Sequence, residues 1–190
     1  MKRRTHAFSL IELLIVIAVI GILAAFTVMS VGSVGQARKL TTAGNLTVDI
    51  INHARQSARA RNTLTLVAVI RSGNEEGRAI TALAFAATNG TNGTWQQIEK
   101  WRVLPEGTRV DLTASTNFFS ATPASALPIT RSGQTANCAT AVFLPDGRPL
   151  NPTPLPQVLF VASANPAAGS NNFYKIIVNP ATGIPVIRRP

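Results

Sequence analysis

The chain begins with residues 1–30, MKRRTHAFSLIELLIVIAVIGILAAFTVMS, in which a short basic leader is followed by a long apolar run. Phe8 to Val31 is a stretch of about 24 residues, and at about 1.5 Å of rise per residue it would reach about 36 Å as a helix. The hydrocarbon core of a bilayer is about 30 Å thick. The sequence therefore predicts a helix over residues 8–31 that can span a membrane.

The charges of the leader predict how this helix is oriented. Lys2, Arg3 and Arg4 precede the apolar run with no acidic residue among them, and positive charges of this kind stay on the cytoplasmic side. We therefore expect a single-pass membrane protein that runs outward, with its C-terminal domain beyond the inner membrane. An ordinary secretory signal has a shorter apolar region followed by a small-residue cleavage site, whereas here the small residue, Ala7, precedes the apolar run.

Glu12 interrupts the apolar run, and a carboxylate inside a membrane-spanning helix is costly when it has no partner. Such residues usually mark a partner or a functional site. The alternative interpretation is that Glu12 lies close enough to the lipid headgroups to reach them or to be protonated. The leader, the Ala7-Phe8 junction and a carboxylate at the fifth residue counted from Phe8 occur together, and this combination favours a function for Glu12.

These residues resemble the type IV prepilin signal shared by type IV pilins and type II secretion pseudopilins: a basic leader, a small residue, Phe, three residues, Glu and an apolar helix. The resemblance implies that residues 1–7 are a leader, that a prepilin peptidase cuts between Ala7 and Phe8, and that Phe8 is then N-methylated. It also implies an inner-membrane assembly platform and a helical filament, in which Glu12 pairs with the amino group of Phe8 on a neighbouring pilin or pseudopilin subunit. The family usually has Gly at the position of Ala7.

A second apolar pattern follows the first. Small and apolar residues recur at three- and four-residue steps at Leu40, Ala43, Leu46, Ile50, Ala54 and Ala58. This spacing is typical of one face of a helix, and Asn62-Thr63 is a suitable end for it. We expect one helix from about Phe8 to about Arg61, whose part over residues 32–62 is an amphipathic stem packed lengthwise on a globular domain.

The remainder of the chain, residues 63–190, has a different character. It contains all twelve prolines, most of the Gly-Asn turn signals and short β-branched or aromatic runs, which together are typical of antiparallel sheet. Candidate strands cover 64–71, 79–86, 94–104, 108–113, 140–144, 157–162, 173–178 and 184–188. Turns are expected at 72–74, 145–147 and 179–183, and 114–137 is expected to be a long loop with at most a short strand. The predicted fold is α+β and type IV pilin-like: a long N-terminal helix packed on an antiparallel β-sheet domain.

Three later segments resemble the GspH/FimT group of minor pilins and pseudopilins. They are the stem segment DIINHARQSARARN, the segment FLPDGRP and the segment KIIVNPATGIPVIRR. An Asp-Gly turn and a Thr-Gly hairpin are common in β proteins, so the N-terminal signal carries most of the resemblance.

Composition limits the domain and its partners. About 160 residues would lie outside the bilayer, which suits one small domain. Lys and Arg number 18 against 8 Asp and Glu, giving a formal net charge of +10, and such a chain attracts polyanions or anionic headgroups. Cys138 is the only cysteine, so no intramolecular disulfide can form. We expect Cys138 to be a small buried apolar residue, with intermolecular pairing as the alternative.

The sequence offers little material for catalysis. Its histidines are His6 in the leader and His53 on the stem, and a lone helical His is usually a surface or edge residue. The spacing of zinc ligands, the nucleophile motifs and the glycine-rich nucleotide-binding motifs are all missing from the sequence. We therefore expect no catalytic residue, metal or cofactor, and interpret the chain as a protein other than an enzyme.

The basic residues raise the alternative of DNA binding. Arg188 and Arg189 follow an apolar strand and are the candidate DNA contacts. A second basic set surrounds Trp95 and Trp101, namely Lys100, Arg102 and Arg109. A basic groove with aromatic rings suits a sequence-tolerant DNA binder. On one continuous strand, however, Lys100 and Arg102 would face away from both tryptophans, which favours tryptophans in the core and basic residues on a solvated face.

The leading hypothesis is a structural subunit: a minor pilin or pseudopilin of a type II secretion pseudopilus or a type IV pilus, at or near the tip. It would prime assembly or contact a secreted cargo or a surface. The alternatives are a DNA-binding minor pilin for natural transformation and a single-pass anchored domain that never polymerises. Replacing Glu12 by Ala separates a filament subunit from a simple anchor.

Overall fold

A computed structural model describes residues 10–71, 73–86, 93–115, 117–119, 130–131, 134–135, 137–150, 157–163 and 172–189. The helix α1 is Leu10–Arg61. The strands are β1 (Thr65–Ile70), β2 (Ala79–Ala86), β3 (Thr94–Gln97), β4 (Arg102–Val103), β5 (Thr108–Asp111), β6 (Thr130–Arg131), β7 (Gln134–Thr135), β8 (Cys138–Phe143), β9 (Gln157–Ser163), β10 (Phe173–Val178) and β11 (Pro185–Arg188). The chain divides into two compact units, Met1–Arg38 and Lys39–Pro190.

The end of α1 lies where the sequence predicts it. Asn62 has a positive φ of 49°. The backbone N–H of Asn62 donates to the carbonyl of Arg59 at 3.3 Å, and that of Thr63 donates to the carbonyl of Ala58 at 3.2 Å. These two bonds form a Schellman motif, which satisfies carbonyl groups of the last helical turn. Asn serves here because it tolerates the left-handed conformation better than most residues.

Among the described residues, no helix is both long enough and apolar enough to cross a membrane. The membrane-spanning helix predicted over residues 8–31 includes Phe8 and Ser9, which lie outside the described residues, and its bounds stay a prediction.

The stem, the part of α1 from Lys39 onward, buries one face. Its buried residues are Leu40, Ala43, Gly44, Thr47, Ile50, Ile51, Ala54 and Ala58. The predicted stripe is confirmed except at Leu46, which is half-buried. Thr47 fits on this face because its hydroxyl donates to the carbonyl of Ala43 at 2.8 Å, which satisfies a polar group that would otherwise be costly to bury.

The first sheet has the order β3-β2-β1-β8, with β4 also paired to β2, and all these pairs are antiparallel. The central strand β1 is buried along its whole length. Val67 and Val69 contribute to the main core, which also contains the buried face of the stem. Their neighbours contribute to a second cluster of Leu66, Ala68, Leu83, Trp95 and Val142, called here the tryptophan cluster. Successive side chains of β1 point to opposite faces of the sheet, so both faces of this strand are buried, each in a different cluster.

The second sheet has the order β11-β10-β9-β5 and is antiparallel. It contributes Val110, Leu159, Val161, Ile176 and Val178 to the main core. The stem and the two larger sheets thus share one hydrophobic core, which confirms the predicted α+β class. The C-terminal hairpin predicted around 179–183 is confirmed as β10 and β11, with Gly183 at a φ of 69° in its turn.

The strand predicted over 94–104 is wrong as a single element. It is divided into β3 and β4, which both pair with β2. The cause lies opposite Ala82, whose carbonyl accepts from the N–H of Ile98 at 3.0 Å and from that of Glu99 at 3.3 Å. Two residues opposite one is the arrangement of a β-bulge, which bends the strand. The alternation predicted from Trp95 to Arg102 is therefore interrupted.

The loop predicted over 114–137 contains more pairing than expected. Two short strands, β6 and β7, pair with each other antiparallel. β8 begins at Cys138, before the predicted start at 140, because Cys138 pairs with Ile70 at the end of β1. Residues 116, 120–129, 132–133 and 136 of this stretch lie outside the described residues.

Candidate functional site

The first part of α1 presents an apolar surface on all sides. Every residue from Leu10 to Ala24 is exposed, and the large side chains range from 45% exposed at Val16 to 81% at Leu10. Burying one such side chain contributes about 1.5–3 kcal/mol. A helix that is apolar all round is stable in lipid or among other apolar elements, so this segment is built for an apolar partner.

Glu12 is the exception on that surface. It lies in the first turn of α1 as described, its side chain is exposed, and it is the only charged residue between Leu10 and Ala37. Any apolar environment that receives the segment must also receive this carboxylate, which requires a cation or a hydrogen-bond donor from another molecule or from the leader end of the chain. Ala7 and Phe8, the residues of the implied cleavage and methylation, lie outside the described residues.

A second candidate site brings together the three segments that carried the weaker resemblance. The guanidinium Nε of Arg55 donates to the carbonyl of Thr182 at 2.8 Å, and that of Arg59 donates to the carbonyl of Asp146 at 2.8 Å. Two arginines one turn apart on the stem therefore bind the two predicted turns, 145–147 and 179–183. We call this arrangement the arginine joint.

Glycines at both turns let the backbone approach closely. Gly147 has a φ of 83°, and a Cβ on it would lie 2.6 Å from Nε of Arg59. Gly183 has a φ of 69°, and a Cβ on it would overlap the carbonyl oxygen of Gly147. Only glycine combines a positive φ with no Cβ at such distances. Sequence analysis identified the turns but missed their meeting, for which the two glycines and the Arg-x-x-x-Arg spacing were the available signal.

The charges of the joint follow from these contacts. Burial, followed by repulsion from Arg59, lowers the pKa of the Arg55 guanidinium. The N–H of Arg148 donates to the Asp146 carboxylate at 2.8 Å and its Nε lies 2.6 Å from the other oxygen; these two bonds lower the pKa of Asp146. Each of the two stem guanidinium groups thus binds a backbone carbonyl of one turn, and these bonds hold the turns on the stem.

The candidate DNA contacts lie at a basic edge. Arg188 lies on β11, opposite Lys175 of β10. The Arg189 guanidinium lies 5.4 Å from the ring centre of Tyr174, within the range of a cation–π contact. Both arginines are exposed.

Tyr174 is held against the stem. Its hydroxyl and that of Thr41 are hydrogen-bonded at 2.9 Å. A Cβ on Gly44 would lie 3.4 Å from the Tyr174 ring, an ordinary van der Waals distance, so the ring packs directly on the stem at this position. The stem thus positions the aromatic ring beneath Arg189, and the structure brings the two predicted arginines together with Tyr174 and Lys175, which sequence analysis did not include.

The second basic set does not form an aromatic groove. Trp95 is buried in the tryptophan cluster, and Trp101 is partly buried against it. Lys100 and Arg102 are exposed, and Arg102 pairs with Glu99 at 2.9 Å. The interpretation of core tryptophans beside a solvated basic face is confirmed.

Cys138 and His53 complete the sequence candidates. Cys138 is half-buried against the tryptophan cluster, less buried than predicted, and burial raises the pKa of its thiol to about 11. His53 is an exposed residue, as predicted, with Nδ1 at 3.7 Å from Oε2 of Glu99. Within the described ranges, no group of three or more His, Cys, Asp or Glu side chains is placed to hold a metal ion.

Comparison with known proteins adds to this geometry. Residues 2–34 match the family model described as a prokaryotic N-terminal methylation motif, a range that includes Ala7, Phe8 and Glu12. The comparison with curated proteins gave no match. Among solved structures, the chain is similar to the minor pseudopilin EpsH from the type 2 secretion system of Vibrio cholerae, with 13% sequence identity and a TM-score of 0.49 over 80% of this chain and 98% of that chain.

Proposed function

We propose that this chain, a type IV prepilin-like protein by its N-terminal methylation motif, is a minor pilin or pseudopilin. The observation that carries the proposal is Glu12, the single charged residue in the exposed apolar segment from Leu10 to Ala24. A structural subunit explains this pattern, because subunit packing provides both the apolar environment and the partner for the carboxylate. The proposed role is structural and requires no catalytic residue.

Assembly follows from the chemistry of the N-terminus. Prepilin peptidase cuts between Ala7 and Phe8, which creates a new amino group on Phe8 that is then N-methylated. In the filament, Glu12 pairs with that amino group on a neighbouring subunit. An unpaired carboxylate in an apolar environment is costly, whereas a paired one is tolerated. Glu12 therefore gains its partner, the Phe8 amino group of a neighbour, only on assembly. The pairing favours neighbours whose Phe8 lies close to Glu12.

The same proposal gives the chain its place in the cell. Residues 8–31 anchor it in the inner membrane and later join the filament core, while the domain that includes the stem lies in the periplasm. The inner-membrane assembly platform moves the subunit from the membrane into a type II secretion pseudopilus or a type IV pilus. We place the chain at or near the tip, where its domain contacts a secreted cargo or a surface.

Mass spectrometry of the mature N-terminus tests this function. The full chain is expressed in cells with and without prepilin peptidase. We expect an N-methylated Phe8 in the first and an intact Met1 in the second. An intact Met1 in cells with an active peptidase would overturn the proposal and favour the single-pass anchored domain that never polymerises.

A second candidate function is DNA capture, favoured by the cation–π contact of Arg189 with Tyr174 and by the position of Arg188 opposite Lys175. Duplex DNA binding by the full chain is measured against salt concentration. Each phosphate contact contributes a slope of about 0.9, so Arg188→Ala with Arg189→Ala should reduce the slope by about 2. The control is Arg61→Ala with Arg71→Ala, two exposed arginines elsewhere. Equal binding by both double variants would exclude this function.

A further inference from the structure

A groove of about 160 Å³ lies between the stem and the bulged connection from β3 to β4. Leu46 and Ile50 contribute apolar surface to it. Asp49 and His53 lie on the same face of the stem, because Asp49, Ile50 and His53 follow Leu46 by three, four and seven positions. Glu99 and Arg102 line the opposite side. The bulge at Ile98 and Glu99 creates this side, because it turns the chain there out of the strand.

The carboxylates of the groove are unequally satisfied. Oε1 of Glu99 pairs with Arg102 at 2.9 Å, while its Oε2 lies 3.7 Å from Nδ1 of His53. Asp49 is exposed, and its carboxylate makes no ion pair with another residue that the structure describes. Besides His53, the groove contains two carboxylates and one guanidinium. It is therefore locally acidic in a chain of formal net charge +10.

We infer that this groove receives the side chain of a lysine or arginine from a neighbouring filament subunit. The inference rests on the proposed function, which supplies the neighbour. A long basic side chain has an aliphatic stem and a charged head, so the stem would lie on Leu46 and Ile50 while the head reaches Asp49 and the open side of Glu99. The volume of the groove suits one such side chain. An acidic or neutral side chain in the same place would leave the Asp49 carboxylate without a cation.

A titration of the purified full chain in detergent micelles tests the groove itself. The probe is N-acetylarginine amide, the readout is the methyl NMR signal of labelled Ile50, and the matched probe is N-acetylcitrulline amide, which has nearly the same shape without the charge. We expect a saturable shift with the arginine probe and none with the citrulline probe. Asp49→Asn should weaken binding about five-fold, whereas Glu106→Gln, which changes an exposed carboxylate elsewhere, should leave it unchanged. Equal shifts with the two probes, or equal binding by Asp49→Asn, would overturn the inference.

Cross-linking in cells tests the occupant. A photoreactive residue replaces Gln56, which is exposed one turn from His53 and does not line the groove. We expect a cross-link to a neighbouring subunit that is reduced about five-fold by Asp49→Asn and retained by Asp49→Glu. An equal cross-link in a chain that enters filaments would contradict the groove inference alone. A chain with an intact Met1 that enters no filament would instead contradict the proposed function, and the micelle titration would still report on the groove.

Discussion

Gly183 is required both by its backbone conformation and by its close contact with Gly147. Its φ is 69°, and a Cβ there would overlap the carbonyl oxygen of Gly147. Gly183→Ala must therefore both strain the backbone and separate the two turns, so we expect a loss of about 2–4 kcal/mol in the free energy of unfolding. Thermal and denaturant unfolding of the full chain in micelles measures it.

Gly73→Ala is the matched control for this substitution. Gly73 has a φ of 86°, but a Cβ on it would meet nothing within 4 Å. The control should therefore cost only the left-handed strain, about 1 kcal/mol. A loss at Gly183 no larger than that at Gly73 would show that the contact with Gly147 contributes nothing to stability.

Cys138 gives a second prediction at the residue scale. Burial raises the pKa of its thiol from 9.0 to about 11, so at about pH 8 the thiolate fraction should be about 100-fold lower than in the unfolded chain. Alkylation by iodoacetamide should be slower in the native chain by at least that factor. Because the folded state holds the proton more tightly, this group stabilises the fold below about pH 9, and that contribution falls as pH rises toward 11. Equal alkylation rates in native and unfolded chains would contradict the prediction.

Single residues also mark how far the sequence could be interpreted. Asn62 was predictable as the helix end because its tolerance of positive φ is an intrinsic property. Gly147 and Gly183 were predictable as turn residues for the same reason. Their contact was not, because it depends on where two separate hairpins are placed by the core.

At the scale of elements, the arginine joint connects the stem to both larger sheets through their turns. We expect Arg55→Ala and Arg59→Ala each to lower the free energy of unfolding by about 1 kcal/mol, because each removes a charged donor from a backbone carbonyl in a partly exposed place. The control is Arg61→Ala, an exposed arginine on the last turn of the same helix. Unfolding of the three variants by denaturant would compare them, and equal stability of all three would show that the joint has no energetic role.

The joint should also be coupled to the glycine contact. In Arg55→Ala with Gly183→Ala, the loss should be smaller than the sum of the two single losses, since Arg55 binds Thr182 in the turn that Gly183→Ala displaces. Strictly additive losses would indicate that the turn keeps its position without Gly183. This double-mutant cycle therefore separates a local clash from a displaced turn.

The elements themselves differ in how well sequence predicts them. The stem was predictable because its apolar spacing repeats over several turns, and its buried residues match the stripe closely. The division between β3 and β4 was not predictable. The bulge depends on two N–H groups that share the carbonyl of Ala82, and no local sequence pattern at 98–101 indicates this sharing. The groove proposed above depends on that bulge, so it too was outside the reach of sequence analysis.

At the scale of the whole molecule, the chain combines two kinds of unit. Lys39–Pro190 has its own core, while residues from Leu10 to Ala24 are exposed and mostly apolar. Hydropathy alone predicts the apolar character of this segment, and the basic leader predicts its orientation in a membrane. The apolar residues alone do not predict which partner covers this segment, because the hydrophobic effect is non-directional. Glu12 narrows the choice, because its carboxylate requires a partner that provides a cation or a hydrogen-bond donor.

Glu12→Gln tests that argument for the whole subunit. The substitution keeps the size and polarity of the side chain but removes the charge that, in the proposed function, pairs with the Phe8 amino group of a neighbouring subunit. We expect cleavage after Ala7 and membrane anchoring to be retained, because neither depends on a neighbouring subunit. Incorporation into sheared filaments should fall about ten-fold or more, since loss of an ion pair in an apolar environment costs more than about 1.4 kcal/mol. Quantitative immunoblots of membranes and filaments from the same cells measure both.

Two companion variants make the outcome decisive. Glu12→Ala should behave as Glu12→Gln does, because both lack the charge, whereas Glu76→Gln, which removes an exposed carboxylate from the turn before β2, should assemble normally. A filament subunit is sensitive to position 12 only after it has left the lipid, so its membrane pool should rise as its filament pool falls. If Glu12→Gln and Glu12→Ala assembled as well as the unaltered chain, the carboxylate would have no role between subunits, and the headgroup interpretation of Glu12 would be the correct one.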